Sequence, residues 1–223
     1  MRLGEKQTLY VVKKVEFGIY LAESRDDVEN RVLLPSKQVP SDTGIGDQLE
    51  VFLYKDSKDR LIATTNTPKL VMGGVAELTV AQTGKIGAFL DWGLEKDLLL
   101  PFRQQVKRVQ EGEKVLVSLY IDKSERLCAT MNVYHNLRSD SPYHAEDQVV
   151  GRAYASSDEF GVFVAVDNLY SALIPKKELY GQVVLGEDLR ARVSKVQPDG
   201  RLVLSIREKA YLQIQEDAER LLD

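Results

Sequence analysis

The sequence predicts an all-β protein of three tandem five-stranded barrels, followed by a C-terminal amphipathic helix. The first observation behind this prediction is a phrase of two aliphatic residues and a proline. It occurs three times, and each proline lies eleven positions before a glycine that an acidic residue follows. The copies are Leu33-Leu34-Pro35 before Gly46, Leu99-Leu100-Pro101 before Gly112, and Leu173-Ile174-Pro175 before Gly186. A phrase repeated with fixed spacing indicates one kind of structural unit occurring three times.

Two further marks keep the same frame. A glycine between apolar residues lies upstream of each proline, and an Arg-Leu pair opens a short alternating run downstream of it. The glycines are Gly18, Gly87 and Gly161, and the arginines are Arg60, Arg126 and Arg201. From copy to copy the proline moves by 66 and then by 74 positions, which is near the smallest size at which one hydrophobic core is sufficient. Three small domains are therefore favoured over one or two ordinary ones.

The first copy contains five short stretches with the composition of strands. Residues 48–54 alternate with period two, as a half-buried strand does, and residues 56–59 have turn composition. Since helical periodicity is absent and a closed barrel leaves no exposed sheet edge, five short strands indicate a small barrel. We expect strands at 9–12, 19–22, 32–34, 48–54 and 60–65, and in the second copy near 75–82, 86–92, 97–100, 114–121 and 126–131.

These patterns also predict where the domains begin and end. The expected boundaries are 1–66 for barrel 1, 67–132 for barrel 2, 133–147 for a linker, 148–207 for barrel 3 and 208–223 for the tail. The tail changes to helical periodicity, with its apolar residues on one face. This helix could pack on barrel 3 or lead into a further domain that the chain lacks, and the absence of a terminating signal favours the second alternative.

Composition bounds the class of protein. Hydrophobic residues make up 43% and charged residues 29% of the chain, as in globular proteins. No apolar run approaches the roughly 20 residues that span a bilayer, and no signal-peptide pattern is present. Cys128 is the single cysteine, which indicates a reducing cytoplasm. The net charge is −4, and residues 208–223, with five acidic and two basic side chains, account for −3 of it. The nearly neutral remainder predicts no strong electrostatic footprint for nucleic acid.

Together the marks resemble the S1-type RNA-binding domain, an oligonucleotide/oligosaccharide-binding (OB) barrel. The third copy fits that pattern best, with Phe-Gly-Val-Phe-Val at 160–164 and Arg-Leu-Val-Leu-Ser at 201–205. Three tandem copies, with proline where the family usually has histidine, are similar to the conserved virulence factor B family of bacteria. Members of that family also have a C-terminal winged-helix domain, which would fit the unfinished helix. The resemblance covers about residues 5–210.

The resemblance implies a set of RNA-binding positions of three kinds. The stacking aromatics would be Phe17 and Tyr20, then Phe89 with Ile86 in its partner's place, then Phe160 and Phe163. The polar pairs would be Asp56 with Arg60, Asp122 with Arg126, and Gln197 with Arg201. The third kind departs from the family, which has a serine two positions after the proline: here Lys37, Arg103 and Lys177 occupy that position, and a cation there could contact phosphate.

Single-stranded RNA exposes base faces, and an exposed aromatic side chain stacks on a base for roughly 1–3 kcal/mol. Neighbouring cations hold the phosphates without reading the sequence. An aromatic beside a strand glycine more often packs in a core, and strict alternation would place Phe160 and Phe163 on opposite faces unless the backbone departs from it at Gly161. The arginines could equally be solvated residues at hairpin ends. Barrel 3 keeps both aromatics of the family, whereas barrel 2 has Ile86 and barrel 1 has Tyr20 in place of phenylalanine and a long acidic loop beside it. We therefore expect barrel 3 to bind most strongly.

The sequence contains none of the common catalytic motifs, and the linkers leave too little chain for a catalytic domain. His135, His144 and Cys128 cannot form a conventional zinc site, so neither a metal nor another cofactor is expected. The expected partner is single-stranded RNA, with no membrane association and with a monomer favoured. The alternative is a scaffold whose barrels bind other proteins, because fold does not imply function.

Overall fold

A computed structural model describes residues 1–27, 29–179 and 183–206 of the chain. Within these residues fifteen strands close into three five-stranded barrels, which confirms the predicted fold class. Besides the strands they contain four short 3₁₀ turns. The helix expected over 208–223 lies outside the described residues.

The strands lie close to the stretches expected from the sequence. Barrel 1 consists of β1 (Lys6–Val15), β2 (Gly18–Ala22), β3 (Val32–Pro35), β4 (Gln48–Lys55) and β5 (Leu61–Thr64). Barrel 2 consists of β6 (Val75–Thr83), β7 (Gly87–Asp91), β8 (Leu98–Pro101), β9 (Lys114–Ile121) and β10 (Leu127–Thr130). Barrel 3 consists of β11 (Gln148–Ser157), β12 (Gly161–Val166), β13 (Tyr170–Pro175), β14 (Asp188–Val196) and β15 (Leu202–Ser205).

All three barrels have one topology. The first strand pairs antiparallel with the second and the fourth, and the third strand runs parallel to the fifth, which closes the barrel. The long first strand has a bulge in each copy, where its register with the second strand shifts. A bulge bends a strand and increases its twist, which allows one strand to serve two neighbours around the barrel.

The repeated glycine and the repeated proline are cross-strand partners. Gly18 pairs with Pro35, and the same pairing joins the glycine and the proline in the other two barrels. The three glycines have φ of 154°, 159° and 124°. A Cβ at Gly18 would lie 2.2 Å from the Leu34 carbonyl oxygen, and the clash is equally close in the other copies. The repeat therefore keeps glycine here because the third strand passes too close for any side chain.

A short 3₁₀ turn follows each of these prolines and is tied to the last residue of the fifth strand. The Thr64 hydroxyl donates to Gln38 Oε1 at 2.6 Å, and the Thr130 hydroxyl donates to Gln104 Oε1 at 2.7 Å. In barrel 3 the Ser205 hydroxyl donates to a carboxylate oxygen of Glu178 at 2.9 Å. These bonds satisfy buried hydroxyls and fix the turn that presents the cations.

Barrels 1 and 2 belong to one compact unit, Met1–Asn136, and barrel 3 belongs to a second unit that begins at Leu137. The core of barrel 2 extends into barrel 1, since Phe52 and Tyr54 of β4 are part of the same buried cluster as Trp92. Barrel 1 also has a separate interior core, which includes Leu21 and Leu34. Barrel 3 is built around its own cluster, which includes Val164 and Ile174.

Across the described segments, no helix has the length and apolar character needed to cross a membrane.

Candidate nucleic-acid interface

One row of side chains crosses the outside of each barrel at the same height. In β2, Ile19 and Leu21 point into the core of barrel 1 and Tyr20 between them points outward. Cross-strand pairing then continues the row through the third, fifth and fourth strands. The rows are Tyr20, Leu33, Ile62 and Tyr54 in barrel 1; Phe89, Leu99, Cys128 and Tyr120 in barrel 2; and Phe163, Leu173, Val203 and Lys195 in barrel 3.

The residue before each repeated glycine extends this row with an exposed apolar side chain. Phe17, Ile86 and Phe160 are 57%, 59% and 53% exposed. Phe17 and Tyr20 meet edge to face, with ring centroids 6.5 Å apart. In barrel 1 the positive φ of Gly18 thus brings two aromatics onto one surface, although strict alternation would separate them. Gly161 has the equivalent conformation before the half-buried Phe163.

The two predicted Asp–Arg pairs exist and lie in the hairpin between the fourth and fifth strands. Arg60 donates to Asp56 Oδ2 from Nη2 at 2.7 Å and from Nε at 2.9 Å. Arg126 makes the same pair of bonds to Asp122 Oδ2, at 3.0 and 3.2 Å. Each carboxylate also accepts backbone N–H groups of its own turn. Each pair therefore anchors its arginine beside the barrel face.

In barrel 3 Arg201 pairs with a carboxylate and not with the expected glutamine. Arg201 donates from Nε and Nη2 to Asp199 Oδ2, both at 2.7 Å. The sequence paired Arg201 with Gln197, but the acidic partner of Arg201 in this ion pair is Asp199. The backbone N–H of Gln197 donates to the Arg201 carbonyl oxygen. An acidic residue two positions before the arginine can reach it within the same tight turn. Barrel 3 therefore has the same kind of ion pair, although Gln197 occupies the position of Asp56 and Asp122.

The ion pairs explain the pKa shifts of these carboxyl groups. Partial burial opposes the shift at Asp56 and Asp122, but the hydrogen bonds from Arg60 and Arg126 and from the turn backbone hold the pKa of each below its usual value. At the exposed Asp199, the Arg201 hydrogen bond lowers the pKa directly. All three carboxylates are thus charged at neutral pH and partly neutralised by their arginines.

The cations expected after each proline are all solvent-exposed. Lys37, Arg103 and Lys177 each occupy the middle position of the 3₁₀ turn that follows the third strand. No bound ligand is needed to hold them there, because the hydroxyl bonds described above fix the turn. They are free to extend toward a phosphate from the rim of the face.

Barrel 2 has an open groove of about 780 Å³ on this face. Three of the predicted residues, Arg103, Asp122 and Arg126, line it. The groove also contains Phe102, which the sequence analysis missed and which is 37% exposed. An aromatic directly after the repeated proline was the available signal, because Ser36 and Lys176 occupy that position in the other copies.

The face of barrel 1 is covered at one end by barrel 2. Trp92 packs edge to face on Phe52 and Tyr54, with ring centroids 5.7 and 6.4 Å apart. Tyr54, the last member of the barrel 1 row, is only 6% exposed. Lys96 Nζ donates to the Asp56 carbonyl oxygen at 2.8 Å, beside the Asp56–Arg60 pair. In barrel 1 the accessible part of the row therefore ends at Ile62.

Cys128 occupies the barrel 2 row but is buried, as expected for a small hydrophobic residue. Burial, with a further contribution from the Asp122 charge, raises the pKa of its thiol to about 11. Burial likewise raises the pKa of the neighbouring Tyr120. Both groups are therefore neutral at physiological pH, and Tyr120 presents an uncharged side chain to the groove. The described residues include no cluster of three or more His, Cys, Asp or Glu that could hold a metal ion.

Comparison with known families gives a match to the S1 domain at residues 3–66 and again at residues 72–132. These two segments contain the strands of barrels 1 and 2, and barrel 3 repeats their topology.

Two bacterial relatives align over most of the chain. The uncharacterized protein YitL of Bacillus subtilis is 28% identical over an alignment that covers 100% of this chain and 76% of YitL. Conserved virulence factor B of Staphylococcus aureus is 24% identical over 80% of this chain and 62% of its own length. The chain thus matches less than two thirds of the staphylococcal protein.

A solved structure has the same fold along nearly the whole chain. It is a multidomain protein with nucleic acid binding domains from Streptococcus pneumoniae, with a TM-score of 0.57 and 18% identity. The likeness covers 97% of this chain and 81% of that one. At this level of identity it concerns the fold alone.

Proposed function

The chain belongs to the S1 domain family, and we propose that it is a non-catalytic protein that binds single-stranded RNA. In this proposal it acts in the bacterial cytoplasm as a post-transcriptional regulator. Its similarity to a protein named conserved virulence factor B supports a virulence-related role.

The observation that supports RNA binding most directly is the repeated exposed apolar residue beside a cation-bearing turn. Phe17 and Phe160 are more than half exposed at equivalent positions in barrels 1 and 3. Lys37 and Lys177 lie in the turn that follows the paired strand, two residues beyond the proline opposite each glycine. An exposed aromatic ring can stack on an unstacked base, and an exposed lysine beside it can contact the phosphate of that base.

The charge of the chain bounds the strength of this binding. Outside the acidic tail the net charge is only −1, and the arginines of the three hairpins are partly neutralised by their aspartates. We therefore expect modest affinity that depends on stacking more than on phosphate contacts. For a single strand, log K falls with log salt by about 0.7 per phosphate neutralised. Three contacting cations would give a slope of about −2.

The test is a fluorescence titration of labelled mixed-sequence single-stranded RNA at several salt concentrations, with duplex RNA of the same length as the control. We expect saturable binding to the single strand, weaker binding to the duplex and a shallow salt slope. A slope steeper than about −4, which corresponds to six or more phosphates, would mean that a large basic surface drives binding. An absence of binding to every RNA at low salt would favour the protein scaffold instead.

A further inference from the structure

The sequence marks barrel 3 as the strongest binder, but the groove geometry points to barrel 2. We propose that the principal RNA-binding site is the groove of barrel 2, in which Phe102 stacks on a base. This inference rests on the proposed function, because it assigns the site within an RNA-binding protein. No part of the family pattern described above includes Phe102.

Phe102 is presented to solvent by a fixed element of the backbone. It is the first residue of the 3₁₀ turn after Pro101, and the last residue of that turn, Gln104, is tied to Thr130. The guanidinium carbon of Arg108 lies 3.9 Å from the centroid of the Phe102 ring. This cation–π contact holds the ring while 37% of the residue remains exposed. A held ring loses little conformational freedom when a base stacks on it.

Phe102 also supplies the aromatic side chain that barrel 2 does not have at Ile86. In barrel 1 the position before the glycine supplies an aromatic, whereas barrel 2 has an aliphatic side chain there. Ile86 and Phe102 line the same groove, and the Phe102 N–H donates to the Ile86 carbonyl oxygen at 3.3 Å. In barrel 2 an aromatic ring therefore enters the groove from the 3₁₀ turn after Pro101, and not from the position before the glycine.

The charges around the groove suit a polyanion. Arg103, Lys123 and Arg126 line it, and among its described lining residues Asp122 supplies the one carboxylate. Arg126 already neutralises Asp122 through two hydrogen bonds. The apolar residues of the groove can contact RNA bases, and the cations at its edge can contact the phosphates. An apolar protein segment would leave these cations without partners.

The groove continues beyond the site of Phe102. Tyr120 and Ile121, at the end of β9, line both this groove and a second one of about 680 Å³. The second groove runs between barrel 2 and the N-terminal segment of barrel 1, and its lining includes Arg2 with its ion-pair partner Glu5. Since the two grooves share these residues, one strand can extend from Phe102 over Ile121 toward Arg2. Barrel 1 then contributes to the site through its N-terminus.

Two substitutions test the site in the full chain. Phe102→Ser introduces the residue that barrel 1 has at this position, Ser36, so the turn is compatible with it. Ile121→Glu places a negative charge on a side chain that is already 47% exposed, where the two grooves meet. Tyr134→Ser is the matched control, since Tyr134 is also 37% exposed and is outside both sets of lining residues. Thermal unfolding by circular dichroism verifies that each variant is folded.

We expect Phe102→Ser to weaken binding of single-stranded RNA about five- to hundred-fold, the range found for the loss of a base-stacking aromatic. Ile121→Glu should also weaken it, while Tyr134→Ser should leave it unchanged. Phe160→Ser in barrel 3 should cost less than Phe102→Ser. If the wild-type protein binds RNA and Phe102→Ser binds equally well, the assignment to barrel 2 is wrong although the proposed function stands. If the wild type binds no RNA, the proposed function itself fails.

Discussion

Trp92 joins barrels 1 and 2, and its replacement by alanine should separate them. The indole is 2% exposed, and its ring meets Phe52 and Tyr54 of barrel 1 edge to face. Its Nε1–H donates to the Lys96 carbonyl oxygen at 2.6 Å. That bond fixes the loop whose Lys96 side chain reaches the Asp56 carbonyl oxygen. A single side chain thus supports both the apolar and the polar contacts between the barrels.

The cost of Trp92→Ala can be worked from this environment. Replacing a buried Phe or Trp by alanine costs about 3–5 kcal/mol, because the transfer free energy is lost and a cavity remains. Small proteins unfold in urea with a slope of about 1–3 kcal/mol per molar. The urea midpoint of the Met1–Asn136 unit should therefore fall by at least about 1 M. Trp92→Phe keeps a ring against Phe52 and Tyr54 and loses the N–H donor, so it should cost roughly 1 kcal/mol.

The assay is urea unfolding of the full chain followed by circular dichroism for all variants. Trp92 is the only tryptophan, so emission excited at the long-wavelength edge, where tyrosine does not absorb, reports on this interface alone. We expect a blue-shifted emission that moves to the red when the barrels separate. The reasoning is refuted if Trp92→Ala lowers the stability by less than about 1 kcal/mol, or if the wild-type emission is already that of a solvated indole.

Three further predictions concern the repeat and the barrel 2 face. Gly87→Ala should destabilise the protein by at least about 2 kcal/mol, because its Cβ would lie 2.2 Å from the Leu100 carbonyl oxygen. Gly112→Ala, where φ is +81° but nothing lies within 4 Å, should cost only about 1 kcal/mol, and comparable unfolding midpoints for both would contradict the steric argument. Because the pKa of its thiol is about 11, Cys128 should react with Ellman's reagent at pH 8 only after urea unfolding, and rapid labelling of the folded protein would disprove its burial. The pKa of Asp122 is lower in the folded state than in the unfolded chain, so its ion pair stabilises the fold above the unfolded pKa, and this stabilisation is lost as the pH falls through the folded pKa. The difference in urea midpoint between wild type and Asp122→Asn should accordingly shrink as the pH drops below about 4, and a difference that persists to lower pH would rule out the linkage.

The local architecture could be predicted from the sequence because neighbouring residues encode it. Alternating polar and apolar residues at 48–51 indicate a strand, and turn residues indicate its end. The burial of residues 51–54 does not alternate, because Phe52 and Tyr54 on the outer face are covered by Trp92. Each third strand ends at its proline, as the repeat indicated. The sequence showed that a glycine recurs upstream of each proline, but only the structure explains why. The two residues are cross-strand partners, and the close approach of the strands excludes a Cβ.

Features that depend on how side chains meet in space could not be predicted in this way. Trp92 shows no periodic signal, since its burial comes from the β4 face of another barrel. Asp199 replaces the expected partner of Arg201 because a tight turn lets a carboxylate reach the guanidinium from more than one position. The sequence shows Phe102 only as an aromatic after the repeated proline, and the structure is needed to place it in one groove with Ile86 and Arg126. Spacing along the chain determines which residues form a barrel, whereas side-chain packing between strands and barrels determines which part of its surface stays open to a ligand.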